Sequence, residues 1–193
     1  ARQRVDLLLR ASILSTLAST VALLGEAIGE LIERAPTEKE DVALRMQRAA
    51  EEVAKKIDGP DGARAAIAFA VVSLQRFDDP KAAWAAIERA LVIDAGLPEF
   101  RSLFPFVKRL AEEPEARRKV EDLLLTAEKK FSNVGVAALR FAAALAESYG
   151  DRPVSRLAMV IAAEKEPLDE TLTADAQSAL SDADDPSLSG RLN

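Results

Sequence analysis

One stretch of the chain, residues 11–25 (ASILSTLASTVALLG), carries no ionisable side chain. Charged residues flank it on both sides, and the pattern predicts one long first helix from Gln3 to Arg34 with charged ends. A helix that is apolar or small on every side for roughly four turns has no face suited to water. We therefore expect other helices of the same chain to cover it all round. The large side chains expected to be buried are Leu14, Leu17, Val21 and Leu24.

The composition predicts helix throughout. Ala and Leu dominate together with Glu, Arg and Lys, whereas aromatic residues make up only 5% of the 193 positions and alternating β-branched runs are missing from the sequence. These residue types favour α-helix, and a chain of this length can fill one core. We predict an all-α fold with a single domain over residues 1–182. Six acidic residues and one arginine follow Pro167, and a disordered acidic tail is expected over residues 183–193.

Prolines, glycines and acidic turns divide the chain into eight or nine predicted helices. After the first helix these are residues 38–57, 63–77, 81–94, 115–131, 134–149, 154–165 and 170–181. Between residues 99 and 113, Pro105 either kinks one helix or separates a short turn from a second helix. We expect antiparallel hairpins packed as a compact helical repeat or as a multi-helix bundle around the first helix. The pattern leaves both arrangements open.

The chain contains neither histidine nor cysteine. This removes the commonest general base, the commonest transition-metal ligand and every thiolate. No phosphate-binding glycine loop or nucleophile elbow occurs in the sequence. We therefore predict a protein that is not an enzyme, with no catalytic, cofactor-binding or metal-ligating residues and no cofactor.

Charge and hydropathy indicate what the chain contacts. Charged residues of both signs are mixed along each predicted helix, without the basic stripe that nucleic acids require. The uncharged run is too short and too rich in Ser and Thr to span a bilayer, and no signal peptide is visible. We expect a soluble, cytoplasmic monomer that contacts neither nucleic acid nor membrane, and for which a protein or peptide is the possible partner.

Three turns share a form, because an acidic residue lies one or two positions before a proline at Pro80, Pro114 and Pro153, which are 34 and 39 residues apart. Stacked helical hairpins have a similar period. The segment at 66–95 (AIAFAVVSLQRFDDPKAAWAAIERALVIDA) resembles the tetratricopeptide repeat, with small residues at Ala83 and Ala90.

A second segment, residues 136–167, resembles the same repeat. Its Gly150-Asp151 pair matches the turn between the two helices of the repeat, and Pro167 matches the closing proline. The segment between the two candidates departs from the pattern at Pro105 and Arg117, so the resemblance covers about a third of the chain. It implies a scaffold that binds a protein or peptide.

Two groups on the first predicted helix are candidate sites. Gly25 and Gly29 form GEAIG, a spacing that indicates close passage of another helix. Three carboxylates could act as metal ligands, although the dinuclear sites of helix bundles also use histidine. We favour a solvated helix end for these residues, which are Glu26, Glu30 and Glu33.

Aromatic residues are the other candidates. They could line a ligand pocket, but core packing is the commoner role of such residues. The aromatic set comprises Trp84, Phe69, Phe77, Phe104 and Phe106. Tyr149, at a predicted helix end, is either a phenol donor or a half-buried anchor.

Three hypotheses for function follow. The absence of histidine and cysteine, in a chain that does not begin with Met, favours a designed or artificial helical fold without a catalytic role. The resemblance implies instead a natural tetratricopeptide-like module that binds a protein or peptide. The uncharged helix centres, at 11–25, 65–74 and 141–146, suggest thirdly a soluble analogue of a multi-helix membrane fold.

Overall fold

The computed structural model describes residues 1–15, 17–56, 59–129 and 132–181. Every regular element in this part of the chain is helical, which confirms the predicted all-α fold. The α-helices are α1 (Arg2–Ser15), α2 (Ala18–Arg34), α3 (Lys39–Lys56), α4 (Pro60–Val72), α5 (Pro80–Asp94), α6 (Val107–Ala111), α7 (Ala116–Ala127), α8 (Val136–Ser148), α9 (Arg152–Lys165) and α10 (Glu170–Ser181). Two 3-10 helices occupy Pro36–Glu38 and Pro98–Phe106, and a π-helix over Ser73–Phe77 continues α4.

The chain divides into two compact units. The first, Ala1–Asp94, contains α1 to α5, and the second, which begins at Ala95, contains α6 to α10. The single domain expected over residues 1–182 stays a prediction. The expected disordered tail, residues 183–193, lies outside the described residues.

The predicted long first helix, residues 3–34, is wrong. Leu17 adopts an extended conformation between the end of α1 and the start of α2. The hydroxyl of Ser15 donates to the carbonyl of Ala11 at 2.8 Å and lies 3.2 Å from the Thr20 hydroxyl. Ser and Thr side chains that bond locally compete with the helical backbone, which explains why this Ser/Thr-rich segment turns instead of continuing as a helix.

The burial expected for the uncharged run is confirmed at Val21 and Leu24, which are fully buried in the core of the first unit, but it is wrong for the run as a whole. Leu14 is 82%, Leu17 49% and Leu23 46% exposed. Leu14 and Leu17 lie at the turn between α1 and α2, a turn that a continuous helix would not contain. The lack of charge therefore did not determine burial at this turn.

The first unit is built on a crossing between α2 and α4. An ion pair of 2.9 Å between Arg4 and Glu30 shows that α1 and α2 run antiparallel. On the other side of α2, Gly25 lies against Val72 at the end of α4. This close approach confirms that the glycine pair marks a helix crossing. The buried core of the unit draws side chains from α1, α2, α3 and α4.

The α4–α5 turn combines a π-helix with a capped start of α5. Asp78 is in the left-handed region at φ 59°, and it ends the π-helix. Asp79 then accepts a hydrogen bond from the backbone N–H of Ala82 at 2.9 Å, as an N-cap residue does. Asp79 is therefore the N-cap of α5.

In the second unit, Pro105 lies inside the nine-residue 3-10 helix that precedes α6. A 3-10 helix was not among the expected alternatives, but the segment does separate from a following α-helix.

The backbone N–H of Gly135 donates to the carbonyl of Ala95 at 3.0 Å. A Cβ at residue 135 would lie 2.8 Å from the carbonyl oxygen of Gly96, so this approach requires glycine. Asp151 caps α9 by accepting from Val154 at 3.3 Å.

Candidate functional site

A pocket in the first unit lies between α3 and α5 and over α4. We call it the α3–α4–α5 pocket; its cavity volume is about 120 Å³. Its walls come from α3 at Met46, Gln47, Ala50, Glu51 and Val53, and from α5 at Ala82, Ala85, Ala86, Arg89 and Ile93. Its floor comes from α4 and the π-helix at Gly62, Ala66, Phe69 and Ser73. The lining is therefore mainly apolar.

Small residues create this space. Ala50 on α3, Ala66 on α4 and Ala86 on α5 all border the cavity, where larger side chains would close it. The exposed lining residues Gln47, Glu51 and Ala85 show that the space is a recess open to solvent. The sequence contains the alanines, but their number alone indicated only close helix packing.

Polar groups occupy the edge of the pocket. Gln47 and Glu51 are exposed on successive turns of α3, and the Gln47 amide donates to the Glu51 carboxylate at 3.4 Å. Arg89 contributes from α5, while Ser73 is buried on the floor. An apolar interior with a few polar groups at the mouth is typical of ligand-binding sites.

The five aromatic candidates do not form one site. Only Phe69 lines the α3–α4–α5 pocket. Trp84 is buried at 3% exposure, and Phe77 packs partly buried against the first core. Phe104 and Phe106 belong to the second unit, where the ring of Phe104 meets Phe141 edge to face with 6.4 Å between centroids. Core packing therefore explains Trp84 and Phe104.

The three carboxylates on α2 are exposed. Glu30 is paired with Arg4 at 2.9 Å. Across the described ranges of the chain, no cluster of three or more Asp or Glu residues is arranged to hold a metal ion.

Tyr149 forms a small polar cluster in the second unit. The guanidinium carbon of Arg117 lies 5.3 Å from the ring centroid, within the range of a cation–π interaction, and Arg117 also pairs with Asp151 at 3.6 Å. The phenol oxygen is buried without a hydrogen-bond partner. Burial, with the negative charge of Asp151, raises the pKa of Tyr149 to about 12. The residue is a half-buried anchor held in its neutral form.

No family model, curated protein or solved structure matches this chain. The fold and the pocket define it as an all-α protein of helical hairpins with an apolar recess. Segment 66–95 covers the second half of α4 and all of α5, and segment 136–167 contains the hairpin α8–α9. The tetratricopeptide resemblance itself stays a prediction. Among the helices described, none is long and apolar enough to cross a membrane.

Proposed function

We propose that this chain is a non-catalytic binding protein whose α3–α4–α5 pocket accepts one large apolar side chain from a partner polypeptide. The observation that supports the proposal is the cavity itself, a space of about 120 Å³ lined by Met46, Phe69, Ile93 and several alanines. A dry cavity of about 150 Å³ lined by similar residues binds benzene in another protein. A phenylalanine ring or leucine side chain is therefore the matching size.

The edge of the pocket favours a peptide over a simple hydrocarbon. Gln47 and Glu51 are exposed there and offer donors and acceptors that a partner's backbone amides can use, while its side chain fills the apolar interior. The absence of histidine and cysteine from the sequence supports binding over catalysis.

Binding of a capped amino acid tests the proposal. N-acetyl-phenylalaninamide is titrated into the full chain and followed by calorimetry, with N-acetyl-glycinamide as the matched ligand that lacks a side chain. Ala50→Leu fills the pocket, whereas Ala43→Leu makes the same change seven residues earlier on α3, outside the lining. We expect Ala50→Leu to abolish binding of the phenylalanine compound and Ala43→Leu to leave it unchanged. Equal affinity for both ligands, or no effect of Ala50→Leu, would contradict the proposal.

A second candidate is a designed fold that serves no ligand. The missing histidine and cysteine favour it, but idealised designs avoid backbone irregularities. This backbone contains the left-handed Asp78 and a π-helix, which favour the binding hypothesis. A helix that spans a membrane needs about 20 residues. The longest helix in the described ranges has 18 residues, so helix length does not support the membrane-fold alternative. Thermal unfolding separates design from the binding module: survival near boiling favours design.

A further inference from the structure

A second recess in the first unit lies between α1 and α3, on another side of α3. Ion pairs join Arg2 to Glu38 at 3.5 Å and Asp6 to Arg45, which shows that α1 and α3 run in the same direction. The second of these pairs and the positions that follow it on both helices border a cavity of about 310 Å³, which we call the α1–α3 groove. It shares no lining residue with the α3–α4–α5 pocket.

Opposite charges face each other across the α1–α3 boundary only at the two ion pairs. At the next positions, two residues of the same charge line the groove, Arg10 on α1 and Arg48 on α3. Both are exposed, and within the described ranges neither forms an ion pair. Two like charges along one boundary repel each other, and an anion between them would remove that repulsion.

The acidic residues of the groove leave this positive charge in place. Asp6 accepts a hydrogen bond from Arg45, so its charge is matched. Glu52 lies at the other end of the groove, one turn beyond Arg48 on α3. Three guanidinium groups therefore face two carboxylates, one of which is already bound by the third arginine.

The floor of the groove is apolar. Leu9 and Ala49 are buried, and Ile13 is partly buried beside them. On each helix the lining positions follow the spacing i, i+3, i+4, i+7, so apolar and basic residues alternate along the same groove. A cavity of this size falls within the range of small-molecule sites.

We propose that the α1–α3 groove binds an anionic amphiphile of the fatty-acid class, with its carboxylate between Arg10 and Arg48 and its alkyl chain on Leu9, Ile13 and Ala49. Charge complementarity selects an anion, and the apolar floor selects one with a hydrocarbon chain. This site is independent of the peptide pocket, so either proposal can fail without the other.

Calorimetric titration of the full chain with octanoate tests this site. Acetate provides the same anion without the alkyl chain, and octyltrimethylammonium provides the chain with a cationic head. Arg48→Glu reverses one charge of the groove, and Arg34→Glu makes the same change on the exposed end of α2, outside it. Both positions are exposed, so both variants should fold, which circular dichroism verifies.

We expect one octanoate to bind per chain, with weak or no binding of acetate and of the cation. Arg48→Glu should weaken octanoate binding about fivefold or more, and Arg34→Glu should not change it, because exposed ion pairs contribute modestly but measurably. Lack of saturable octanoate binding, equal binding of the cation, or equal effects of the two variants would overturn the proposal.

Discussion

A Cβ atom added to Gly25 would lie 2.8 Å from Cγ2 of Val72, where α2 crosses the end of α4. At Gly29, one turn further, the nearest atom would be Cζ of Arg76 at 2.9 Å. The two glycines thus have similar clearances against different neighbours. Valine is branched at Cβ and stiff, whereas an arginine head group can swing away.

This difference predicts unequal effects of Gly25→Ala and Gly29→Ala. Both gain the helix propensity of alanine, but only Gly25→Ala forces a stiff neighbour or the backbone to shift. We expect Gly25→Ala to be less stable than Gly29→Ala by about 1–3 kcal/mol in urea unfolding. Adding Val72→Ala to Gly25→Ala should cost less than Val72→Ala does alone. Equal stability of the two glycine variants would show that the helices are further apart.

The uncharged run predicts a second contrast. Leu24 is fully buried and Leu14 is 82% exposed. Leu24→Ala should lower the free energy of unfolding by about 2–5 kcal/mol, because it leaves a cavity. Leu14→Ala should change it by less than about 0.5 kcal/mol. A large loss of stability for Leu14→Ala would contradict the exposure of Leu14 and would favour the continuous, fully covered helix that was predicted.

The cap of α5 predicts a side-chain-specific effect. Asp79→Ala removes the acceptor of the Ala82 N–H and should cost about 1 kcal/mol in chemical denaturation. Asp79→Asn keeps an acceptor oxygen in place and should retain most of the stability. If Asn and Ala destabilise equally, the charge of Asp79 rather than its hydrogen bond matters.

Tyr149 predicts a loss of stability at high pH. Its pKa is raised from 10.0 to about 12, so the folded state holds the proton more tightly than the unfolded state does. The stabilising contribution is complete below pH 10 and is lost as the pH rises through 12. Because the chain has one tyrosine, the absorbance of tyrosinate reports this group alone. An ordinary pKa would contradict the burial of the phenol.

The same phenol predicts a stabilising substitution. Its oxygen is buried without a hydrogen-bond partner, so Tyr149→Phe should raise the free energy of unfolding by about 1 kcal/mol. The ring stays in place and keeps its contact with Arg117. Arg117→Ala, which removes that contact, should be destabilising by about 0.5–1 kcal/mol. Thermal unfolding at neutral pH compares all three proteins.

The sequence predicted those features of the fold that depend on local chemistry. The close passage at Gly25 is confirmed, and the helices expected over residues 81–94 and 154–165 begin within two residues of the predicted positions. The turn at Leu17 was not predicted, because it has neither proline nor glycine and depends on hydroxyl hydrogen bonds. The 3-10 helix around Pro105 was not predicted either, because a proline indicates a break in an α-helix without indicating which kind of helix surrounds it.

The two recesses could not have been predicted from the sequence. A cavity exists where three helices fail to fill a space, which depends on their relative placement rather than on any motif. Ala50 and Ala86 are separated along the chain, and no spacing rule connects them. Arg10 and Arg48 line the same groove, between α1 and α3, which run in the same direction. The predicted continuous first helix gave no indication of this arrangement.

The most direct measurement for the proposed function is the position of a bound phenylalanine ring on the protein. Nuclear Overhauser effects are recorded between N-acetyl-phenylalaninamide and the methyl groups of the chain. We predict contacts with the methyl groups of Met46 and Ala86, which line the α3–α4–α5 pocket. Contacts confined to exposed side chains such as Leu14 or Leu125, or no contacts at saturating ligand, would contradict it.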